Sequence, residues 1–353
     1  MTDDIQFEEF NGWGVVTLNR PEALNALTLG MVKAFRKTLL DWQAHPKIRA
    51  VLVKGAGDRA FCAGGDIRWL HDTAKKDVSA ACDFFREEYR NNAVIYHFTK
   101  PYVSLIDGVV MGGGVGVSVH GDFRVAGDRT LFAMPETGIG LFPDVGGGHF
   151  MPRLHDGLGL YYALTGARAK AADCMAAGIA THYTPTEQMP ELETALLETA
   201  LTSHAHADVE AVLDQFAGDP GHAPINDLRA QIKAEFEAPA SLDALLRSLE
   251  RDGAQVTTEF YETLSRMSPT SLALTFRQMR EGHALDFDDV MRMEFRMVSR
   301  VMQGHDFFEG VRAQILDKDR QPKWSPSSLS AVSDADIDAY FEPLGDAELV
   351  FDA

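Results

Sequence analysis

Short apolar runs alternate with amphipathic stretches along the first 190 residues, and this alternation constrains the fold more than any other feature of the chain. Residues 13–19, 50–54 and 102–106 have the composition of buried strands. Apolar residues at spacings of three and four predict a helix between the first two runs: Met31, Phe35, Leu39 and Trp42. A strand–turn–helix order of this kind is typical of α/β proteins. We therefore expect an α/β fold for residues 1–190.

The pattern becomes helical from residue 191 to residue 353, with many Ala, Leu, Glu and Met residues. One stripe at helical spacing is typical of core packing: Val290, Met293, Met297 and Val301. The change near residue 190 is gradual. Residues 191–353 are therefore either an extension packed on the first part or a domain of their own.

The charge and the composition exclude several classes of protein. The net charge of −19 would repel a polyanion, so we expect no nucleic-acid partner. No run reaches the ~20 apolar residues that a membrane span needs, and we expect no membrane partner. The three cysteines form no CxxC pair, and the acidic start MTDDIQFEEF resembles no targeting signal. These features predict a cytoplasmic protein.

Two glycine turns follow apolar runs and precede predicted helices. The first is Ala63-Gly-Gly-Asp66 and the second is Gly112-Gly-Gly114. A helix start leaves backbone N–H groups without partners, and glycine allows a ligand to approach them closely. Two such N–H groups directed at one point form an oxyanion hole. Each turn alone is more simply interpreted as a tight turn, and the two together, beside a pair of acids, favour the oxyanion hole.

Two carboxylates, Glu136 and Asp144, stand in the apolar, glycine-rich segment 132–150. No Lys or Arg lies between residues 130 and 152 to pair with them locally, and burying an unpaired carboxylate is costly. Glu136 either caps a turn or lies in a cleft with a raised pKa, ready to accept a proton. Asp144 is a second candidate acid, or it caps a helix start near residue 145.

Other candidates carry weaker signals. Ser118 lacks the GxSxG pattern of a catalytic serine. Cys62 is expected to be a packed cysteine. The twelve histidines show no ligand spacing, so we expect no metal site. The cluster of Lys318, Arg320 and Lys323 is either a solvated surface or a local basic site for an anionic ligand.

The order of four motifs resembles that of the crotonase (enoyl-CoA hydratase/isomerase) superfamily. These are NRPEALNAL, AFCAGGD, GVVMGGGVG and FAMPETGIGLFPDVGG. Further segments resemble its branch of 3-hydroxyisobutyryl-CoA hydrolases: FFREEY, SPTSL and GHDFFEGVRAQILDKDRQPKW. The resemblance covers nearly the whole chain. It implies a crotonase-like spiral of ββα units, with the helical region packed on this core, and it leaves open the formation of a homo-oligomer.

The resemblance also implies roles for individual residues. The backbone amides of Gly65 and Gly113, which lie within the two glycine turns, would bind the thioester oxygen. Glu136 and Asp144 would be the catalytic acids. Glu88 would bind substrate, with Glu87 beside it as the alternative.

Contacts with CoA are implied as well. The loop from Ala63 to Ile67, including Gly64 and Asp66, would contact the adenine. Lys318 or Lys323 would meet the CoA phosphates.

One departure from the family pattern bears on the reaction. Hydratases of the superfamily carry a second glutamate in a GGGxE pattern, whereas this chain has GGGVG with Gly116 at that place. This departure favours a hydrolase over a hydratase. The resemblance then implies hydrolysis of the thioester of 3-hydroxyisobutyryl-CoA, in valine catabolism, with no cofactor because CoA is part of the substrate. The alternatives are an enoyl-CoA hydratase or isomerase, and a non-catalytic acyl-CoA-binding protein.

Overall fold

The computed structural model describes residues 3–351, so residues 1–2 and 352–353, at the outer limits of the two predicted regions, lie outside it. The strands are β1 (Ile5–Phe10), β2 (Trp13–Leu18), β3 (Ala50–Gly55), β4 (Ala60–Cys62), β5 (Tyr102–Leu105), β6 (Val109–Met111), β7 (Phe123–Ala126), β8 (Leu131–Ala133), β9 (Ala169–Lys170) and β10 (His182–Tyr183). The helices are α1 (Leu29–Ala44), α2 (Ile67–Ala74), α3 (Val78–Tyr96), α4 (Gly113–Gly116), α5 (Gly147–Phe150), α6 (Leu158–Thr165), α7 (Ala171–Ala177), α8 (Met189–Glu198), α9 (Ala205–Gln215), α10 (Ile225–Phe236), α11 (Leu242–Asp252), α12 (Gln255–Leu264), α13 (Pro269–Gly282), α14 (Phe287–Val301), α15 (Asp306–Val311) and α16 (Asp334–Phe341).

Two sheets are built by successive turns of the chain. The larger sheet has the order β1-β2-β3-β5-β7-β10, and the smaller has the order β4-β6-β8-β9. From β3 onward, each pair of consecutive strands contributes one strand to each sheet, as β3 and β4, β5 and β6, and β7 and β8 do. All pairings in the larger sheet except β1 with β2 are parallel. This repetition confirms the predicted spiral of ββα units.

The chain divides into two compact units. The first comprises the residues up to Gly65, Arg90–Phe132 and Arg168–Asn226. Its core joins β2, β3, β5 and β7 to α8 and α9 through buried side chains such as Trp13, Leu52 and Leu192. The parallel strands read as continuous apolar runs because both of their faces are covered.

The second unit comprises Asp66–Tyr89, Ala133–Ala167 and the chain from Asp227 onward. The stripe on α14 is buried as predicted, since Val290, Met293, Met297 and Val301 are each at most 5% exposed. Helices and no strand follow β10 up to residue 351, which confirms a helical C-terminal region. The division of the chain at residue 190 stays a prediction.

In the described range, no helix is long and apolar enough to cross a membrane.

Candidate active site

The segment from residue 132 to residue 150 folds into two short helical turns that bury both of its carboxylates. A 3-10 turn spans Glu136–Ile139 and ends at Gly140, whose φ of 73° is in the left-handed region that glycine adopts readily. The helical turn α5 begins at Gly147. Glu136 is 5% exposed and Asp144 is 4% exposed, so both carboxylates are buried as expected.

Glu136 has the properties of a proton acceptor. Its Oε2 is buried and, in the described part of the chain, has no hydrogen-bond partner. Burial, and then the charge of Asp144, raises the pKa of Glu136 well above its ordinary value. A carboxylate with a raised pKa and an open oxygen can take a proton from a bound water.

Asp144 is bonded to a residue that the sequence analysis did not single out. The hydroxyl of Tyr89 donates a hydrogen bond of 2.8 Å to Oδ2 of Asp144. Burial raises the pKa of Asp144 to about 7, although this hydrogen bond opposes the shift. The alternative role of Asp144 as a helix cap is wrong, because the N-cap residue of α5 is Gly146 and no side chain caps it there.

The helix α3 presents a third buried carboxyl group. Glu88 is 2% exposed, whereas Glu87 is partly exposed. The Oε1 atom of Glu88 is buried and, in residues 3–351, has no hydrogen-bond partner. Burial, followed by the charges of Asp144 and Glu136, raises the pKa of Glu88 well above its ordinary value. The three carboxyl groups thus form one electrostatically coupled cluster, and Glu88 is the buried member of the EE pair.

Glu294 of α14 is a fourth buried carboxyl group, and the sequence analysis missed it. It accepts hydrogen bonds from the backbone N–H groups of Gly146 and Gly148, each at 2.8 Å. Burial raises its pKa to about 8. A signal exists in the sequence, because Glu294 lies four residues after Val290 and four before Val298, on an otherwise apolar helix face.

The two glycine turns of the first unit approach each other closely. Gly64 has a φ of 108°, and a Cβ atom placed on it would lie 3.4 Å from the backbone nitrogen of Gly113. Gly113 begins α4, so its N–H has no acceptor within that helix. Gly65 pairs with Leu27 in an isolated bridge. The turns therefore bring Gly65 and Gly113 into one region of this unit.

The remaining predicted contacts lie on loops. In the loop from Ala63 to Ile67, Asp66 caps α2 by accepting a hydrogen bond from the N–H of Trp69. Lys318 and Lys323 are exposed. Their loop is shaped by Arg312, which bonds the carboxylates of Asp317 and Asp319. The roles of these residues toward CoA stay predictions.

The weaker candidates are structural. Ser118 is buried and donates a hydrogen bond to the carbonyl oxygen of Gly114. Cys62 is fully buried, as expected for a packed cysteine. Within residues 3–351, no group of three or more His, Cys, Asp or Glu side chains is arranged to hold a metal ion.

Comparison with known proteins agrees with the fold. A family model described as enoyl-CoA hydratase/isomerase matches residues 13–341, so the chain belongs to this family, the crotonase superfamily of the sequence analysis. A carnitinyl-CoA dehydratase from Mycobacterium thermoresistibile is 38% identical with a TM-score of 0.92, and each chain is fully covered. An enoyl-CoA hydratase from Rhodobacter sphaeroides 2.4.1 is 36% identical with a TM-score of 0.88, covering 99% of this chain and 100% of that one.

Within this family, the curated relatives that the chain matches include 3-hydroxyisobutyryl-CoA hydrolases. The protein of Xenopus tropicalis is 49% identical over 95% of this chain and 88% of its own length. The protein of Homo sapiens is 44% identical over 99% of this chain and 91% of its own length. Both are named as mitochondrial proteins, which contradicts the predicted cytoplasmic location. Composition and the absence of a recognised signal were an insufficient basis for that prediction.

Proposed function

We propose that this chain hydrolyses the thioester of 3-hydroxyisobutyryl-CoA to 3-hydroxyisobutyrate and free CoA. The observation that carries the proposal is the buried carboxyl cluster, in which Glu136 has an oxygen without a hydrogen-bond partner among the described residues and Asp144 accepts a hydrogen bond from Tyr89. The names of the curated relatives support the same substrate. We place the reaction in valine catabolism.

In the proposed reaction, Glu136 removes a proton from water as the water oxygen attacks the thioester carbon. The carbon–sulfur bond then breaks, and the CoA sulfur takes up the proton. Direct attack by Glu136 would instead give a mixed anhydride, which water hydrolyses in a second step. The amides of Gly65 and Gly113 stabilise the negative charge on the carbonyl oxygen, and such a donor contributes about 2.7–4 kcal/mol.

Asp144 and Glu88 recognise the acyl group in this proposal. A carboxylate accepts a hydrogen bond from the 3-hydroxyl group, and a protonated carboxyl donates one. Burial raises the pKa of Asp144 to about 7, so both of its protonation states are accessible near neutral pH, and burial also raises the pKa of Glu88 well above its ordinary value. No cofactor takes part, because CoA belongs to the substrate.

Hydration or isomerisation of an enoyl-CoA is the second candidate, favoured by the names of the two similar proteins of known structure. Gly116 argues against it. This residue is buried in α4 and has no side chain to supply the second water-handling acid of the hydratases.

One assay separates the candidates. The protein is incubated with 3-hydroxyisobutyryl-CoA or with crotonyl-CoA. A thiol reagent measures the free CoA-SH, and the enoyl absorbance measures the remaining enoyl-CoA. Hydrolysis frees CoA-SH from the 3-hydroxyacyl thioester. Loss of enoyl absorbance without thiol release would support the hydratase, and tight binding with neither signal would support an acyl-CoA-binding protein.

A further inference from the structure

The turn that carries Asp144 has a strained backbone. Val145, directly after Asp144, has a φ of 52°. A β-branched residue rarely adopts this left-handed conformation, because its side chain crowds the backbone. Strain of this kind persists only where the surrounding structure enforces it, and it is common at functional sites.

Two side chains from the C-terminal helices form hydrogen bonds with the backbone of the turn on both sides of Asp144. Glu294 accepts the N–H groups of Gly146 and Gly148, as described above. Gln278 of α13 donates from Nε2 to the carbonyl oxygen of Pro143 at 2.7 Å and to Oε1 of Glu294 at 2.9 Å. Both side chains are fully buried.

The turn packs so closely against these helices that two of its contacts require glycine. A Cβ atom on Gly148 would lie 3.0 Å from Oε1 of Glu294. A Cβ atom on Gly282 of α13 would lie 2.1 Å from the carbonyl oxygen of Gly148, closer than real contacts allow. The backbone after Asp144 is therefore fixed by contacts with α13 and α14.

We propose that Glu294 and Gln278 are positioning residues for the reaction: they hold the strained turn from Pro143 to Gly148 so that the Asp144 carboxylate stays on the Tyr89 hydroxyl. Neither residue touches the substrate in this account. The inference rests on the proposed hydrolysis and on the role of Asp144 in recognising the 3-hydroxyl group.

The substitution Glu294→Gln tests this role. An amide has one acceptor oxygen, so one of the two glycine N–H groups loses its partner and meets an NH₂ group instead. We expect kcat/KM for 3-hydroxyisobutyryl-CoA to fall by about tenfold or more, and to fall further than kcat/KM for isobutyryl-CoA, which lacks the hydroxyl. Gln278→Met removes the second contact and serves if the first variant fails to fold. Ser299→Ala is the matched control, because it removes a buried hydrogen bond within α14, to the carbonyl oxygen of Phe295.

A double-variant cycle with Asp144→Ala completes the test. If Glu294 acts through Asp144, adding Glu294→Gln to Asp144→Ala causes little further loss. Additive losses, or equal losses on both substrates, would overturn the positioning role while leaving the proposed function intact. Absence of thiol release by the unaltered protein would overturn the proposed function and the inference together.

Discussion

At the scale of the residue, burial determines the chemistry of this site. It is the largest cause of the raised pKa values of Glu88, Glu136 and Asp144. The mutual charges of these groups add to the effect on Glu88 and Glu136. Asp144, whose pKa is about 7 against 3.8 ordinarily, can thereby accept or release a proton near neutral pH.

Because Asp144 is buried, we expect the stability of the folded protein to decrease when this carboxyl group ionises. The pKa of Asp144 is about 7 in the folded protein, against 3.8 ordinarily, so the folded state binds the proton more tightly than the unfolded state. This contribution to stability is complete below pH ~4 and is lost as the pH rises to about 7. Asparagine does not ionise. Asp144→Asn should therefore change the free energy of unfolding more favourably at pH 8 than at pH 4, by on the order of a few kcal/mol.

Urea denaturation of both proteins at the two pH values measures this difference. The asparagine oxygen still accepts the hydrogen bond from Tyr89, so the comparison isolates the charge. Equal effects of the substitution at pH 4 and pH 8 would show that Asp144 is not held in its neutral form.

The sequence could indicate some of these residues and not others. Glu136 and Asp144 stand out because they are charges in an apolar segment. Tyr89 has no such signal, since its partner Asp144 is 55 positions away and only the fold brings the two together. Glu294 is missed because the apolar stripe of its helix is interpreted as core packing alone.

At the scale of the element, the glycine turns are the parts whose geometry the proposed reaction depends on. Gly64 is the position to test, because a Cβ atom there would lie 3.2 Å from the carbonyl oxygen of Met111 and 3.4 Å from the nitrogen of Gly113. Gly64→Ala should displace the Gly113 amide and lower kcat by about 100-fold or more, the typical effect of losing one oxyanion-hole donor.

Gly178→Ala provides the matched control for this measurement. Gly178 has a φ of 78°, so alanine there is also strained, but among the described residues no atom outside its own chain neighbours lies within 4 Å of its Cβ position. The control should lose stability while retaining kcat. Equal kcat values for the two alanine variants would argue against Gly113 as the oxyanion donor.

The strands and helices were predictable where their periodicity was strong. The apolar runs correctly indicate β2, β3 and β5, and the helix predicted between the first two runs corresponds to α1. Strand β1 escapes prediction because it is an edge strand with mostly exposed side chains. Strand β4 has three residues, which is too short for any periodicity to show.

At the scale of the whole molecule, the proposed substrate carries several negative charges and the protein has a net charge of −19. Recognition of the CoA phosphates then requires local cations, and Lys318 and Lys323 are exposed on one loop. The paired substitution to alanine should raise KM for the CoA thioester by about two- to fivefold per lysine, as expected for exposed ion pairs.

The pantetheine thioester of the same acid lacks the phosphates of CoA and should show no change in KM. Lys37→Ala, an exposed lysine of α1, is the control for the loss of charge alone. Added salt should reduce the difference between the lysine variant and the unaltered protein. An equal rise in KM for both thioesters would show that the lysines do not bind the CoA phosphates.

The central claim is that Glu136 activates water for thioester hydrolysis, and release of CoA-SH from 3-hydroxyisobutyryl-CoA by the unaltered protein and by Glu136→Gln tests it most directly. Circular dichroism establishes that both proteins are folded. The account predicts thiol release by the unaltered protein and a rate at background for the variant, because an amide cannot accept the proton from water. A variant that hydrolyses at a rate near that of the unaltered protein would contradict it.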